Sequence, residues 1–271
     1  MLTSNRLRQQ LAQQQTVFGL IASVPAPIMV EMIAYAGFDF VIIDMEHVMI
    51  NPETVEHMLR AAEQSGITPL VRIPEINAKV ILRVLDSGAM GIVIPQVETK
   101  EQIEAVIQAA KYFPIGQRSM NSGRPGVFGR DNLVDYMDRA NQEIMVIPMI
   151  ETVKGVEHIH EILSIKGIDM VLEGAADLSQ SYGVPWQTEH PHVRQALDHI
   201  QQVAADQQIP YCAIPRQPDQ YDYWQGKGVQ AYVLGDERGI TFRALQSKLA
   251  QFPVASAIPS KEQSHNHNDL S

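Results

Sequence analysis

Asp44, Glu46 and His47 stand together at the end of a short aliphatic run, Phe40 to Asp44, and comparable runs lead into Arg72, Gln96, Glu151 and, a little further on, Asp177. Two carboxylates converging from adjacent strands fill part of an oxygen-rich octahedral shell and leave positions for water and substrate. Glu151 and Asp177 are therefore candidate ligands for Mg2+, with Mn2+, Co2+ or Ca2+ as alternatives. Each also has an ordinary reading, Glu151 as the first acid of the next helix and Asp177 as a turn or helix cap. Gly174, Ala175 and Ala176 are small enough for backbone N–H groups to approach an anionic ligand. His47 follows the acid-rich Asp44-Met45-Glu46. A histidine oriented by a carboxylate can take and give a proton near neutral pH, which makes His47 the acid-base candidate. Arg72 interrupts an apolar run and needs a partner, either a structural acid such as Glu46 or Asp86 or a substrate carboxylate or enolate.

One stretch, Tyr112 to Arg130, is too rich in Gly, Ser, Asn and Pro and too long to be an ordinary connector. With Lys111 it carries Arg118, Arg124 and Arg130 and no acid between them, which makes it a candidate anion-binding loop. Gly116, Gly123, Gly126 and Gly129 would let it close over a ligand.

The elements that must position these groups alternate. Val17–Ala22, Phe40–Asp44, Pro69–Ile73, Gly91–Pro95, Met145–Ile150, Asp169–Leu172, Pro210–Ile214 and Ala231–Leu234 are short, β-branched and almost continuously apolar, as strands buried on both faces require. Helical spacing fills the intervals at Pro52–Ser65, Ala78–Asp86, Glu101–Ala110, Val153–Leu163, Val193–Ala205 and Arg243–Phe252. Asn51 caps the first of these with Pro52 behind it, and Gly66 follows its end. The pattern predicts an α/β fold, a (β/α)8 TIM barrel over residues 1–253, with a doubly wound open sheet as the competing arrangement. Residues 254–271 are polar and aperiodic and read as a disordered tail, with His265 and His267 solvated.

Composition sets the outer limits. The 271 residues are 45% hydrophobic and 19% charged, a soluble globular balance. Against 31 acids stand 21 Lys and Arg, and the net charge of -10 argues against a nucleic acid partner. Cys212 is the single cysteine, which excludes an internal disulfide and any Cys-rich metal site and fits a reducing, cytoplasmic setting. No apolar run approaches the roughly 18 residues of a membrane span, and the N-terminal basic residues are followed by no apolar signal-peptide core.

The residues after the strands carry a resemblance. Gly37-Phe38-Asp39-Phe40-Val41-Ile42-Ile43-Asp44-Met45-Glu46-His47, Val71-Arg72, Leu85-Asp86-Ser87-Gly88-Ala89, Ile150-Glu151-Thr152 and Gly174-Ala175-Ala176-Asp177-Leu178-Ser179 resemble, in order and spacing, the motifs of the HpcH/HpaI family of metal-dependent class II aldolases. The likeness runs from about Val17 to Phe252. It implies a divalent ion held by Glu151 and Asp177 that chelates a 2-oxo acid, with His47 paired to Asp44 for acid-base chemistry. Arg72 would meet the developing enolate or alkoxide, and Asp86 would join the same rim, near a neighbouring subunit's site. The resemblance also implies a swapped or protruding C-terminal helix and a homo-oligomer, from dimer to hexamer.

Two departures bear on the substrate. Met149 stands where pyruvate aldolases of the family carry Gln, and it cannot donate the hydrogen bonds that Gln gives. Gly174-Ala175-Ala176-Asp177 replaces Gly-Pro-Ala-Asp, and Glu173 adds an acid in a strand position. These changes, with the arginine-rich loop, resemble the branch of the family that makes citrate for siderophores from oxaloacetate and acetyl-CoA. Arg118 and Arg124 would then meet a second carboxylate or the phosphates of coenzyme A. A non-catalytic metabolite-binding barrel is the alternative from a different class.

Overall fold

The computed structural model describes residues 2–252. Its strands are β1 Val17–Ala22, β2 Phe40–Asp44, β3 Thr68–Arg72, β4 Gly91–Ile94, β5 Met145–Ile150, β6 Val171–Glu173, β7 Tyr211–Ala213 and β8 Ala231–Asp236. All pair in parallel, each with its sequence neighbour, and β8 returns to β1, so the sheet closes as a barrel and not as an open doubly wound sheet. The expected tail at 254–271, with His265 and His267, lies outside the described residues.

The helices are α1 Arg6–Ala12, α2 Pro27–Tyr35, α3 Pro52–Ser65, α4 Ala78–Ser87, α5 Lys100–Ala110, α6 Leu133–Glu143, α7 Val153–Glu157, α8 Ile159–Leu163, α9 Ala175–Ser181, α10 Pro191–Asp206, α11 Pro218–Gly226 and α12 Glu237–Ala250. The cap read at Asn51 is present: its side chain accepts the Thr54 N–H at 2.8 Å. Gly66 ends α3 at φ 76°, a left-handed conformation that costs glycine nothing. The stretch expected as one helix from Val153 to Leu163 is two, because the chain breaks at His158, whose Nδ1 bonds the Glu98 carbonyl at 2.8 Å. α12 begins earlier than its spacing suggested, capped by Asp236, which accepts the Gly239 N–H. Glu237 is its one buried residue, so Phe242, Leu245 and Leu249 stand at the surface of a protruding helix.

Strand periodicity divides the core into two layers. Phe40, Ile42, Leu70, Val93, Ile147, Met149, Leu172 and Cys212 fill the barrel interior, together with Leu7 and Leu11 of α1. Val41, Ile43, Val71, Ile92, Ile94 and Val146 face the helices. Continued by one more step of two residues, the interior rows of β2, β3 and β5 arrive at Asp44, Arg72 and Glu151. The same alternation that packs the core therefore delivers the polar groups to one end of it. Among the described residues, no helix is long and apolar enough to cross a membrane.

Candidate active site at the C-terminal ends of the strands

Asp44 and Arg72 are register partners across β2 and β3. Both side chains are buried, and they meet as a fork: Nε of Arg72 donates to Oδ1 of Asp44 at 2.9 Å, and Nη2 lies 2.9 Å from Oδ2. Oδ1 of Asp44 also accepts the backbone N–H of Glu46 at 3.0 Å and of His47 at 3.4 Å, so one carboxylate shapes the turn after β2 while it holds the arginine. The His47 ring stands beside Glu46, with Nε2 3.6 Å from Oε2, and is half exposed. The expected side-chain pairing of His47 with Asp44 is thus corrected, since Asp44 meets His47 through the backbone and Glu46 faces its ring. Glu46 also lies 3.3 Å from Nε of Arg72. Glu46, one of the two acids in the stretch before His47 and a candidate partner of Arg72, therefore stands near both the imidazole and the cation.

Glu151 follows the last residue of β5 and is buried. Its Oε1 accepts the Gln96 N–H at 2.8 Å. Gln96 reaches that position with φ 51°, a left-handed conformation that is uncommon for a residue with a side chain. Burial pushes the Glu151 carboxyl up to about 7; the Gln96 N–H opposes this, Glu46 and Asp177 add to it, and Arg72 opposes it. Burial likewise raises Glu46, against the pull of Arg72 and His47 and with the push of Asp44 and Asp177. Arg72 is raised despite burial by Asp44, Glu46 and Glu151. Several acids thus share a small region with one arginine, and Glu151, buried but not forked to that arginine as Asp44 is, is short of positive charge.

Asp177 lies exposed in the first turn of α9. Gly174 precedes that helix and offers no capping side chain. A Cβ on Gly174 would sit 2.4 Å from Cβ and 2.5 Å from Oε2 of Glu151, so only glycine leaves the carboxylate its place. Gly174, Ala175 and Ala176 bring their backbone to the same rim. Among the described residues, no three His, Cys, Asp or Glu side chains are grouped to hold a metal. Glu151 and Asp177 could hold a divalent ion only as a pair, with water or substrate oxygens completing the shell. An all-oxygen donor set around a charge-starved buried carboxylate fits Mg2+ or Mn2+.

The remaining candidates are elsewhere. Asp86 is in the last turn of α4, where the helices return to the opposite end of the barrel, and it accepts Nη2 of Arg118 at 2.6 Å. Arg118 is fully buried, with its guanidinium over the Tyr112 ring at 4.8 Å. Arg124 pairs with Glu63 at the end of α3. Lys111 donates to the Asn141 and Ile144 carbonyls. Within one chain, therefore, Asp86, Arg118 and Arg124 do not join the rim that holds Asp44, Arg72 and Glu151. Arg118 and Arg124 read as free cations only along the chain, since their acids come from neighbouring helices, while the exposed Arg130 lies 3.6 Å from the adjacent Asp131.

With this geometry in view, residues 18–235 match the family model described as HpcH/HpaI aldolase/citrate lyase. The chain belongs to the HpcH/HpaI family. Within that family it is 32% identical to the 2-keto-3-deoxy-L-rhamnonate aldolase of Klebsiella pneumoniae, over 97% of this chain and 99% of the relative. The 5-keto-4-deoxy-D-glucarate aldolase of Shigella boydii is also 32% identical, over 91% and 95%. The crystal structure of the citrate synthase SbnG superposes with a TM-score of 0.85 and 43% identity, covering 91% of this chain and 96% of that one. The protein is an enzyme of carbon–carbon bond chemistry.

Proposed function

We propose that the chain makes or breaks a carbon–carbon bond beside the keto group of a 2-oxo acid, with a divalent ion, most simply Mg2+, held by Glu151 and Asp177. The observation that carries this reading is the buried Glu151 carboxylate, raised to about 7 among Glu46 and Asp177 with Arg72 as its counter-charge. When bound, the ion polarises the 2-oxo group and neutralises the surrounding acids. Arg72, fixed by Asp44, is placed to meet the oxygen that gains negative charge as the bond changes. The backbone N–H groups of Ala175 and Ala176, at the uncapped start of α9, are placed to meet the substrate carboxylate, while the Gly174 N–H is committed to the Ile150 carbonyl and Gly174 supplies the close approach. His47, at the open side of the site with Glu46 beside it, moves the proton, directly or through a water.

The substrate reading favoured here is oxaloacetate with acetyl-CoA. It rests on the 43% identity to the citrate synthase SbnG and on Met149, a buried thioether that offers no donor to an enolate. In that reaction His47 takes a proton from the acetyl methyl, the new carbanion attacks the oxaloacetate ketone carbon, and water then cleaves the thioester to release citrate and the free thiol. Aldol cleavage of a sugar acid is the second reading, favoured by the 32% identical relatives. Incubation with Mg2+, oxaloacetate and acetyl-CoA separates the two. Thiol release above background supports citrate synthesis, and its absence together with pyruvate-dependent aldehyde consumption supports aldol chemistry. Variants Glu151→Ala and Asp177→Ala that matched the parent in both assays would overturn the assignment of these two residues as metal ligands. The buried, unpaired Cys212 fits a cytoplasmic setting. The apolar side chains that α12 exposes favour a homo-oligomer, which light scattering after size exclusion tests.

A further inference from the structure

Glu173 is a fully buried carboxylate outside the reacting cluster. It ends β6 with its side chain turned toward the helices, because Leu172 before it faces the barrel interior. The backbone ladder between β6 and β7 covers only Val171 with Tyr211 and Leu172 with Cys212. Beyond it the side chain of Glu173 takes over: Oε1 accepts the Ile214 N–H at 2.9 Å, and Oε2 accepts the Tyr211 hydroxyl. The Tyr211 ring is itself held against Trp224, with centroids 5.1 Å apart. On its other side the same piece of backbone is bound to β5, where the Gly174 N–H donates to the Ile150 carbonyl at 3.1 Å.

The segment that leaves β6 thus has two supports. One is backbone to backbone, beside Glu151; the other is the Glu173 carboxylate alone. Gly174 has no slack, since it passes within van der Waals distance of the Glu151 side chain, and Asp177 follows three residues later on the first turn of α9. A shift at Glu173 moves Gly174 against Glu151 and carries Asp177 with it.

We propose that Glu173 is a positioning residue for the paired carboxylates, setting the separation of Glu151 and Asp177 through its bonds to Ile214 and Tyr211. The inference rests on the reading of those two residues as metal ligands. It assigns Glu173 no contact with substrate or ion. Partners of this kind, one step removed from the ligands, typically change metal affinity by about 10- to 100-fold when removed.

The test is Mn2+ binding to the full chain, followed by the paramagnetic resonance of free Mn2+, with folding checked by circular dichroism. Glu173→Leu removes both acceptors and is expected to weaken Mn2+ binding by roughly tenfold or more. Glu173→Gln keeps an oxygen for the Ile214 N–H and is expected to stay within about threefold of the parent. Glu173→Asp retains the charge but falls short of both donors, so it is expected to behave as Leu does; it decides the matter if the Leu variant does not fold. Parental affinity in a folded Leu or Asp variant overturns the proposal while leaving the metal reading in place. A parent that binds no Mn2+ overturns the metal reading and this inference with it.

Discussion

Asp44 holds Arg72 by both edges of its carboxylate, across adjacent strands and in register. The same oxygen that accepts Nε also accepts the N–H groups of the turn carrying Glu46 and His47. Orientation of the cation and placement of the acid-base group are therefore one structural event. Arg72→Lys keeps the charge and loses the planar fork. It is expected to lower kcat by about 10²- to 10³-fold, the range for loss of a preorganised donor, with the fold intact. Asp44→Ala removes the forked acceptor of buried Arg72 and leaves it only Glu46, 3.3 Å from Nε, so it is expected to cost about 1.5–3 kcal/mol in denaturant unfolding.

Glu151 makes metal binding depend on pH. Its carboxyl titrates near 7, raised by burial, and must lose its proton to act as a ligand. Divalent-ion affinity is expected to rise from pH 6 to 8 and then level, with proton release on binding, as calorimetry in buffers of different ionisation enthalpy would measure. The stability of the metal-free protein follows the opposite course. The folded state holds this proton more tightly than the unfolded chain, so stability falls as pH rises from the ordinary carboxylate range through about 7. A metal-free melting temperature that climbed over that interval would contradict the assignment.

Gly174→Ala adds one methyl group where Glu151 already stands, 2.4 Å from its Cβ. Because the obstruction is the root of the side chain and not its flexible end, Glu151 or the start of α9 must move. Titration with Mn2+ is expected to show a loss of affinity of roughly tenfold or more, and a variant with parental affinity would mean that the close approach has no bearing on the ligands.

Arg118 belongs to the architecture at the other end of the barrel. Arg118→Leu strips Asp86, which is partly exposed and keeps Asn121, of its cation and is expected to destabilise the protein by about 1–3 kcal/mol. Below the unfolding transition its KM for the 2-oxo acid should match the parent. A raised KM at unchanged stability would return this arginine to substrate binding.

Asp44, Arg72 and Glu151 are legible in the sequence because strand alternation is strict: the rows ending at Ile42, Leu70 and Met149 point into the barrel, so the next polar residue in each row must arrive at the rim. Arg118 and Arg124 are misread for the converse reason. Their acids, Asp86 and Glu63, lie 32 and 61 residues away on other helices, and spacing along the chain carries no trace of them. α1 is hidden in the same way, because Leu7 and Leu11 are too few to mark an amphipathic helix until the interior of a closed barrel gives them a place to bury. The Gln96 N–H that reaches Glu151 is a backbone group, and residue type alone could not reveal it.

The most direct test of the metal-dependent site is turnover of oxaloacetate with acetyl-CoA, or of the aldol substrate if that is the reaction found, by chelator-treated protein as Mg2+ is added back, in parallel with Glu151→Gln and Asp177→Asn. The parent is expected to lose activity on chelation and to regain it with Mg2+, while both folded variants stay near background at concentrations that restore the parent. Full turnover by the chelated parent, or variants that follow the parent through the titration, would contradict the account.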